Sequence, residues 1–268
     1  MPASFTSDSF ASLLGKHSWF RAFYIKLTNF LLLKNITIKS QIKRWSRGKN
    51  NSLLVLDAGF GFGNLLDMFI SNPKKYNVLG IDINPKLVAD ATSFLKEYEI
   101  KNIYCRTQNV MSLNDENAFD LCLCINLLNY IEDDVKLFEL FKNALKKNGM
   151  LFVFSPSNYT NNNDRRMTTG VHKDKKYREG YEISEIKEKL KSAGFSKVRA
   201  KYAYGWPGMI SWKLTTGVPS LLVKWSKLFY VILPFYVIAV LPFIILFNLL
   251  DIKILHNKGK CIVVKAFK

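Results

Sequence analysis

Apolar residues follow two rhythms along this chain. One is a short unbroken run closed by turn residues: Leu53–Leu56, Val78–Asp82, Ile103–Thr107, Phe119–Ile125 and Gly149–Phe154. Such runs predict strands buried on both faces. The other is a return every third or fourth position, beginning at Leu65 after the first run. Asn84-Pro85 opens a helix with proline near its first turn. The spacing predicts a further helix over Glu182–Ser192, capped at Ser184 or just before it and stopped by Gly194. Phe195–Tyr204 and Cys261–Phe267 complete the pattern as sixth and seventh strands. Alternating strands and helices imply an α/β fold. Its doubly wound, seven-stranded, mostly parallel sheet would take ligands at the carboxyl ends of the strands.

The first strand leads into Asp57-Ala58-Gly59-Phe60-Gly61-Phe62-Gly63-Asn64. A strand, a tight glycine turn and a helix N-terminus make a cradle for a nucleotide cofactor. Glycine lets the backbone turn sharply and lets a ligand approach without meeting a Cβ. A nicotinamide or flavin fingerprint places glycine first, third and sixth, but the sixth position here is Asn64. The second strand ends in Asp82, at the distance where an acid accepts hydrogen bonds from ribose hydroxyls.

Glycines at first, third and fifth positions, with Asp57 two residues before them, resemble motif I of the class I S-adenosylmethionine-dependent methyltransferases. The resemblance covers roughly residues 50–205 and the last ten. It implies a Rossmann-like methyltransferase fold with S-adenosylmethionine as cofactor. The implied contacts are Asp57, Gly59, Phe60, Gly61, Gly63, Asp82, Ile83, Asn109, Val110 and Asn126. The family often sets an acid against the adenine amino group. Asn109 replaces it, with an amide oxygen as acceptor. Gly180–Ile186, Ser192–Phe195, Tyr204–Gly208, Ser211–Lys213 and Leu233–Tyr236 are similar to uncharacterised bacterial methyltransferases, loosely related to the ubiquinone and menaquinone enzymes. That likeness implies a hydrophobic small-molecule or lipid acceptor.

Charge divides the chain. The formal net charge is +18. Residues 1–50 carry nine basic and one acidic residue, 51–150 ten and thirteen, 151–205 twelve and six, and 206–268 eight and one. A mildly acidic core with basic flanks suits an anionic surface. The flanks are also greasy, which favours membrane over nucleic acid. In residues 10–33, Phe20, Tyr24, Leu27 and Leu31 fall at helical spacing beside Lys16, Arg21 and Lys26. This reads as an interfacial helix; a lid helix on the core is the alternative. Leu228–Leu250 holds 23 residues without a charge, enough to span a bilayer. It lies between strands six and seven, so a single crossing would leave the last strand on the far side. Pro234 and Pro242 predict a broken helical pair packed on the core or dipping into one leaflet. A dimer interface is the alternative, so a homodimer stays open. The organisation expected is N-terminal helices over 1–50, a catalytic core over 51–205, a hydrophobic insertion over 206–256 and the last strand over 257–268.

A hydroxyl acceptor must lose a proton, which suits histidine. His172, after strand five, is the candidate base, and Tyr130, just past strand four, its companion; Tyr159, Tyr177 and Tyr181 are further pocket candidates. Quinone-pathway relatives carry Glu-His where Asn129-Tyr130 stand, which weakens transfer of their acceptor chemistry. No metal is expected. Cys105, Cys122, Cys124 and Cys261 read as buried and reduced, in keeping with a cytoplasmic protein peripheral to the inner membrane face. A nucleic-acid methyltransferase is the second reading, although Asn126-Leu127-Leu128-Asn129 lacks the Pro-Pro-aromatic signature of base amino-methylases. A non-catalytic cofactor-binding membrane protein is the third.

Overall fold

The computed structural model describes residues 26–159, 177–226 and 229–268. Its strands are β1 (Leu53–Ala58), β2 (Tyr76–Asp82), β3 (Ile103–Thr107), β4 (Phe119–Ile125), β5 (Leu145–Pro156), β6 (Lys197–Ala203) and β7 (Cys261–Phe267). They form one sheet in the order β3-β2-β1-β4-β5-β7-β6. β1 to β5 pair in parallel, and β7 runs antiparallel between β5 and β6.

Alternate strand residues enter two cores. Val55, Val78, Leu123, Phe152 and Val263 meet α1 (Leu33–Ser46), α2 (Leu66–Ile70) and α3 (Pro85–Glu97) on one face. Leu56, Cys122, Cys124, Val153 and Val264 meet α4 (Asp134–Ala144) and α5 (Ile183–Ser192) on the other. Covering on both faces explains why the strands read as unbroken apolar runs. Local chemistry sets the helix starts. The Asn84 side chain accepts from the Lys86 N–H ahead of Pro85, and the Asp133 side chain accepts from Lys136. Glu182 occupies the cap position of α5 without a side-chain cap bond. β5 begins at Leu145, directly after α4 and earlier than its apolar run, because Leu145 still pairs with Phe119 before an irregularity in register.

The insertion between β6 and β7 is a helical hairpin. α6 (Trp206–Trp212) passes through one π turn (Lys213–Gly217) into α7 (Val218–Trp225), and α8 (Phe229–Lys253) brings the chain back. Pro234 and Pro242 do not end α8, contrary to the broken pair expected. Each removes one backbone bond, but helix propagation on either side carries the segment through.

One carboxylate fastens the hairpin to the sheet. Asp251 accepts from the backbone N–H groups of Tyr204 (3.1 Å), Gly205 (2.9 Å) and Gly208 (3.0 Å). His256 Nε2 lies 3.0 Å from the same carboxylate. Asp251 thereby caps α6 from another helix, satisfying amides that have no partner inside α6. Both glycines are needed for this approach. A Cβ at Gly205 would sit 2.2 Å from His256 Nδ1, and one at Gly208 would sit 2.7 Å from Asp251 Oδ1. Higher up, Ser211 donates to Asn248 (2.6 Å), Asn248 donates to the Leu31 carbonyl (3.1 Å) and Tyr236 donates to the Leu214 carbonyl (3.0 Å). The short motifs around residues 204–213 are therefore fastening chemistry.

Candidate functional site

The carboxyl ends of β1 to β4 meet at one edge of the sheet. After β1, Gly59, Gly61 and Gly63 adopt φ values of +70, +57 and +73°. These left-handed conformations favour glycine. The Gly59 N–H donates to the Ile81 carbonyl (2.8 Å), tying the turn to β2. Leu127, just past β4, packs where a Cβ on Gly59 would come within 3.1 Å of it. Gln108 N–H donates to the Asp82 carbonyl (3.0 Å), which brings in the end of β3.

Asp82 organises the turn. Its Oδ2 accepts from the Gly61 N–H and its Oδ1 from the Asn84 N–H, both at 2.9 Å. It is only 4% exposed. Each carboxylate oxygen keeps a further lone pair for a ligand hydroxyl. Asp57 is only 3% exposed. Burial, and then the negative charge of Asp82, push its carboxyl up to about 7.

The other implied contacts fall around this turn. Ile83 is 60% exposed directly after Asp82, an apolar side chain held out at the sheet edge. Phe60 turns its ring inward against Val88 and Ala91, so it offers its backbone to a ligand. Asn109 Oδ1 accepts from the Met111 N–H (2.9 Å), capping the short turn Val110–Ser112. One lone pair of that oxygen remains. The Val110 side chain belongs to the core, while its N–H opens the turn, where no carbonyl of the turn reaches it. Asn126 holds φ +54°, and its Oδ1 is buried with no hydrogen-bond partner. Asn64 Oδ1, at the end of the glycine turn, is orphaned in the same way. A strained residue and two orphaned acceptors around an anchored carboxylate fit a polar ligand. Asn64 and Leu127 were not singled out from the sequence; only their positions beside motif residues marked them.

The acceptor candidates divide. Tyr130 is half-buried in the turn Leu128–Tyr130 just past β4, at the same edge. Asn129 serves as a latch: its amide donates to the carbonyls of Arg178 and Glu179, both at 2.9 Å. Arg178 in turn pairs with buried Asp134, which also takes Lys189 (2.8 Å) and the Tyr181 hydroxyl (2.7 Å). Tyr181 is fully buried, held by Asp134 and the core beneath α5. Tyr159 and Tyr177 are exposed beyond β5, Tyr159 against the Tyr202 ring and Lys258. His172 and residues 10–25 lie outside the described residues.

Comparison with known proteins agrees with this fold. Residues 55–149 match the family model described as a methyltransferase domain. An uncharacterized protein of Methanocaldococcus jannaschii is 33% identical over 135 residues, 48% of this chain and 52% of its own length. The chain thus spans about half the length of this curated relative. Haemonchus contortus phosphoethanolamine N-methyltransferase 2, in complex with S-adenosyl-L-methionine, superposes with a TM-score of 0.62 at 17% identity, over 93% of this chain and 56% of that one. The CurJ carbon methyltransferase gives 0.54 at 10% identity, over 86% and 52%. The [4+2]-cyclase SpnF gives 0.56 at 17% identity, over 86% and 79%. One architecture therefore serves transfer to nitrogen, transfer to carbon and a cyclisation, so the fold alone does not name the accepting atom.

Proposed function

We propose, from the premise that this chain has the class I methyltransferase fold and that its residues 55–149 match a methyltransferase-domain family model, that it is an S-adenosylmethionine-dependent methyltransferase acting on a hydrophobic small molecule or lipid. The observation that carries the cofactor assignment is the Asp82 carboxylate. It is anchored by Gly61 and Asn84, beside the positive-φ glycine turn, and each of its oxygens keeps acceptor capacity beyond the one bond it takes from the backbone. Asp82 would take the ribose hydroxyls, the backbone of Gly59–Gly63 the methionine part, and Ile83, Asn109, Val110 and Asn126 the adenine side. Bound there, the cofactor supplies a methyl group on a sulfonium, which is already electrophilic.

The protein's tasks are then to align an acceptor, exclude water and receive a proton. His172 is the proposed base and Tyr130 its neighbour at the acceptor. O-methylation of a phenol or enol is the favoured form, because oxygen needs that proton removed. Free cysteines, of which Cys122, Cys124 and Cys261 are buried, support a cytoplasmic setting. The exposed apolar hairpin supports an acceptor taken at a membrane surface.

Incubation with methyl-labelled S-adenosylmethionine and a membrane lipid extract tests this reading. Label should enter an extractable lipid or hydrophobic metabolite, and His172→Ala should lower the rate about a hundredfold. Label entering only added nucleic acid, or nothing, sinks the acceptor class.

Asp57 adds a pH dependence. A positively charged ligand beside it favours the ionised carboxyl, so binding below about pH 7 must expel the proton. Affinity for S-adenosylmethionine should therefore rise from pH 6 toward pH 8 and then level. Titration calorimetry of wild type and Asp57→Asn at both pH values checks it. An identical slope in the two proteins would remove Asp57 from the site.

A further inference from the structure

We propose that the α6–α8 hairpin is a membrane-seated arm, with the outer face of α8 among the acyl chains of one leaflet of an anionic bilayer and both hairpin ends on the same side. This deepens the acceptor reading above and rests on it only for what the arm delivers.

The first support is an inverted polarity. Phe235–Lys253 is long and apolar enough to cross a membrane, yet within it only Ile244, Asn248 and Asp251 are buried. The outward residues are Phe235 (71% exposed), Ile238 (69%), Phe243, Leu246 and Leu249. The polar Asn248 and Asp251 face inward, and each has protein partners. A helix facing water does the reverse. A helix facing lipid turns its polar groups inward and satisfies them there. Exposed apolar residues occur on α7 as well, at Leu221 (60% exposed) and Trp225 (83% exposed).

Charge selects the occupant. Residues 206–268 hold eight basic residues and one acidic, and that one is the buried Asp251. Lys213 and Lys253 are exposed on the arm. A second copy would set two strongly positive chains face to face, whereas an anionic leaflet is complementary.

Topology sets the depth. β7 pairs between β5 and β6, so the hairpin must return to the side it left. Exposed Lys213 lies midway along the outgoing arm, where a double crossing would carry it toward the costly bilayer centre. The arm therefore lies within one leaflet. Its base joins the sheet at Ala203, Cys261 and Pro156, which share one register row at the carboxyl edge. The glycine turn sits on that same edge. A lipid acceptor can then pass from leaflet to site along the hairpin base without entering bulk water.

The test uses the full chain and vesicles of phosphatidylcholine with or without phosphatidylglycerol. Wild type should float with the anionic vesicles at low salt, more weakly at high salt. An environment-sensitive dye at Phe235→Cys or Leu246→Cys, with half-exposed Cys105 replaced by serine, should shift to the blue. Quenchers placed in the outer leaflet should reach it. Phe235→Asp with Ile238→Asp should lower partitioning at least tenfold while S-adenosylmethionine affinity stays unchanged, since both side chains are exposed and far along the chain from the glycine turn. Protein that stays at the bottom of the gradient at low salt overturns the arm. So does a discrete dimer that shields the dye without lipid, or a dye at Trp225→Cys quenched only from the vesicle lumen. Retained cofactor binding without flotation refutes the arm alone; flotation without cofactor binding refutes the methyltransferase reading alone.

Discussion

Asp82→Ala is expected to weaken S-adenosylmethionine binding by about 2–4 kcal/mol, roughly 30- to 700-fold in Kd. Two losses combine. The ribose hydroxyls lose their acceptor, and the N–H groups of Gly61 and Asn84 lose theirs. The second loss loosens the glycine turn, which keeps only its backbone bonds from Gly59 and Phe60 to Ile81, so part of the site must be reordered on each binding event. Asp82→Asn keeps one carbonyl oxygen and should fall between wild type and alanine. Titration calorimetry measures all three. Unchanged affinity in Asp82→Ala would remove the cofactor from this turn. A lower melting temperature without an affinity change would leave Asp82 with a purely structural role.

Asp251→Ala is expected to destabilise the protein by about 3–5 kcal/mol. The carboxylate is 3% exposed and serves three backbone N–H groups and His256. Its removal strands buried donors at the base of the hairpin. For a chain of this size that corresponds to a fall of roughly 10 °C in melting temperature. The arm should loosen before the sheet, because the sheet's own strand pairing is untouched. Protease cleavage at Lys213 and Lys253 would accelerate first. Asp251→Asn retains an acceptor and should lose less. A variant as stable and as resistant as wild type would show that the hairpin is held elsewhere.

Legibility from sequence followed the range of the forces involved. β7 coincides with its predicted span, and β1 to β4 follow their apolar runs closely, because strands covered on both faces leave unbroken apolar residues in the chain. The glycine turn was legible because its backbone needs a residue without Cβ at three alternate positions. The burial of Tyr181 against Asp134 was not legible, since the two lie 47 positions apart. The prolines of α8 promised a break, but a local rule about one hydrogen bond yielded to propagation through an apolar helix.

By itself the sequence determined the strand order along the chain, the cofactor turn with its acids and the uneven charge. These depend on side-chain period, backbone sterics and composition, which act between near neighbours. Only the tertiary structure decided that β7 enters between β5 and β6, that Asn129 latches Arg178 and Glu179, and that Asp251 caps a helix begun 45 positions earlier. It also decided that α8 hides its polar residues and presents its apolar ones. A composition of Phe, Ile and Leu specifies a helix that avoids water. Which side of that helix meets protein is set by where a distant carboxylate finds its unpaired amides.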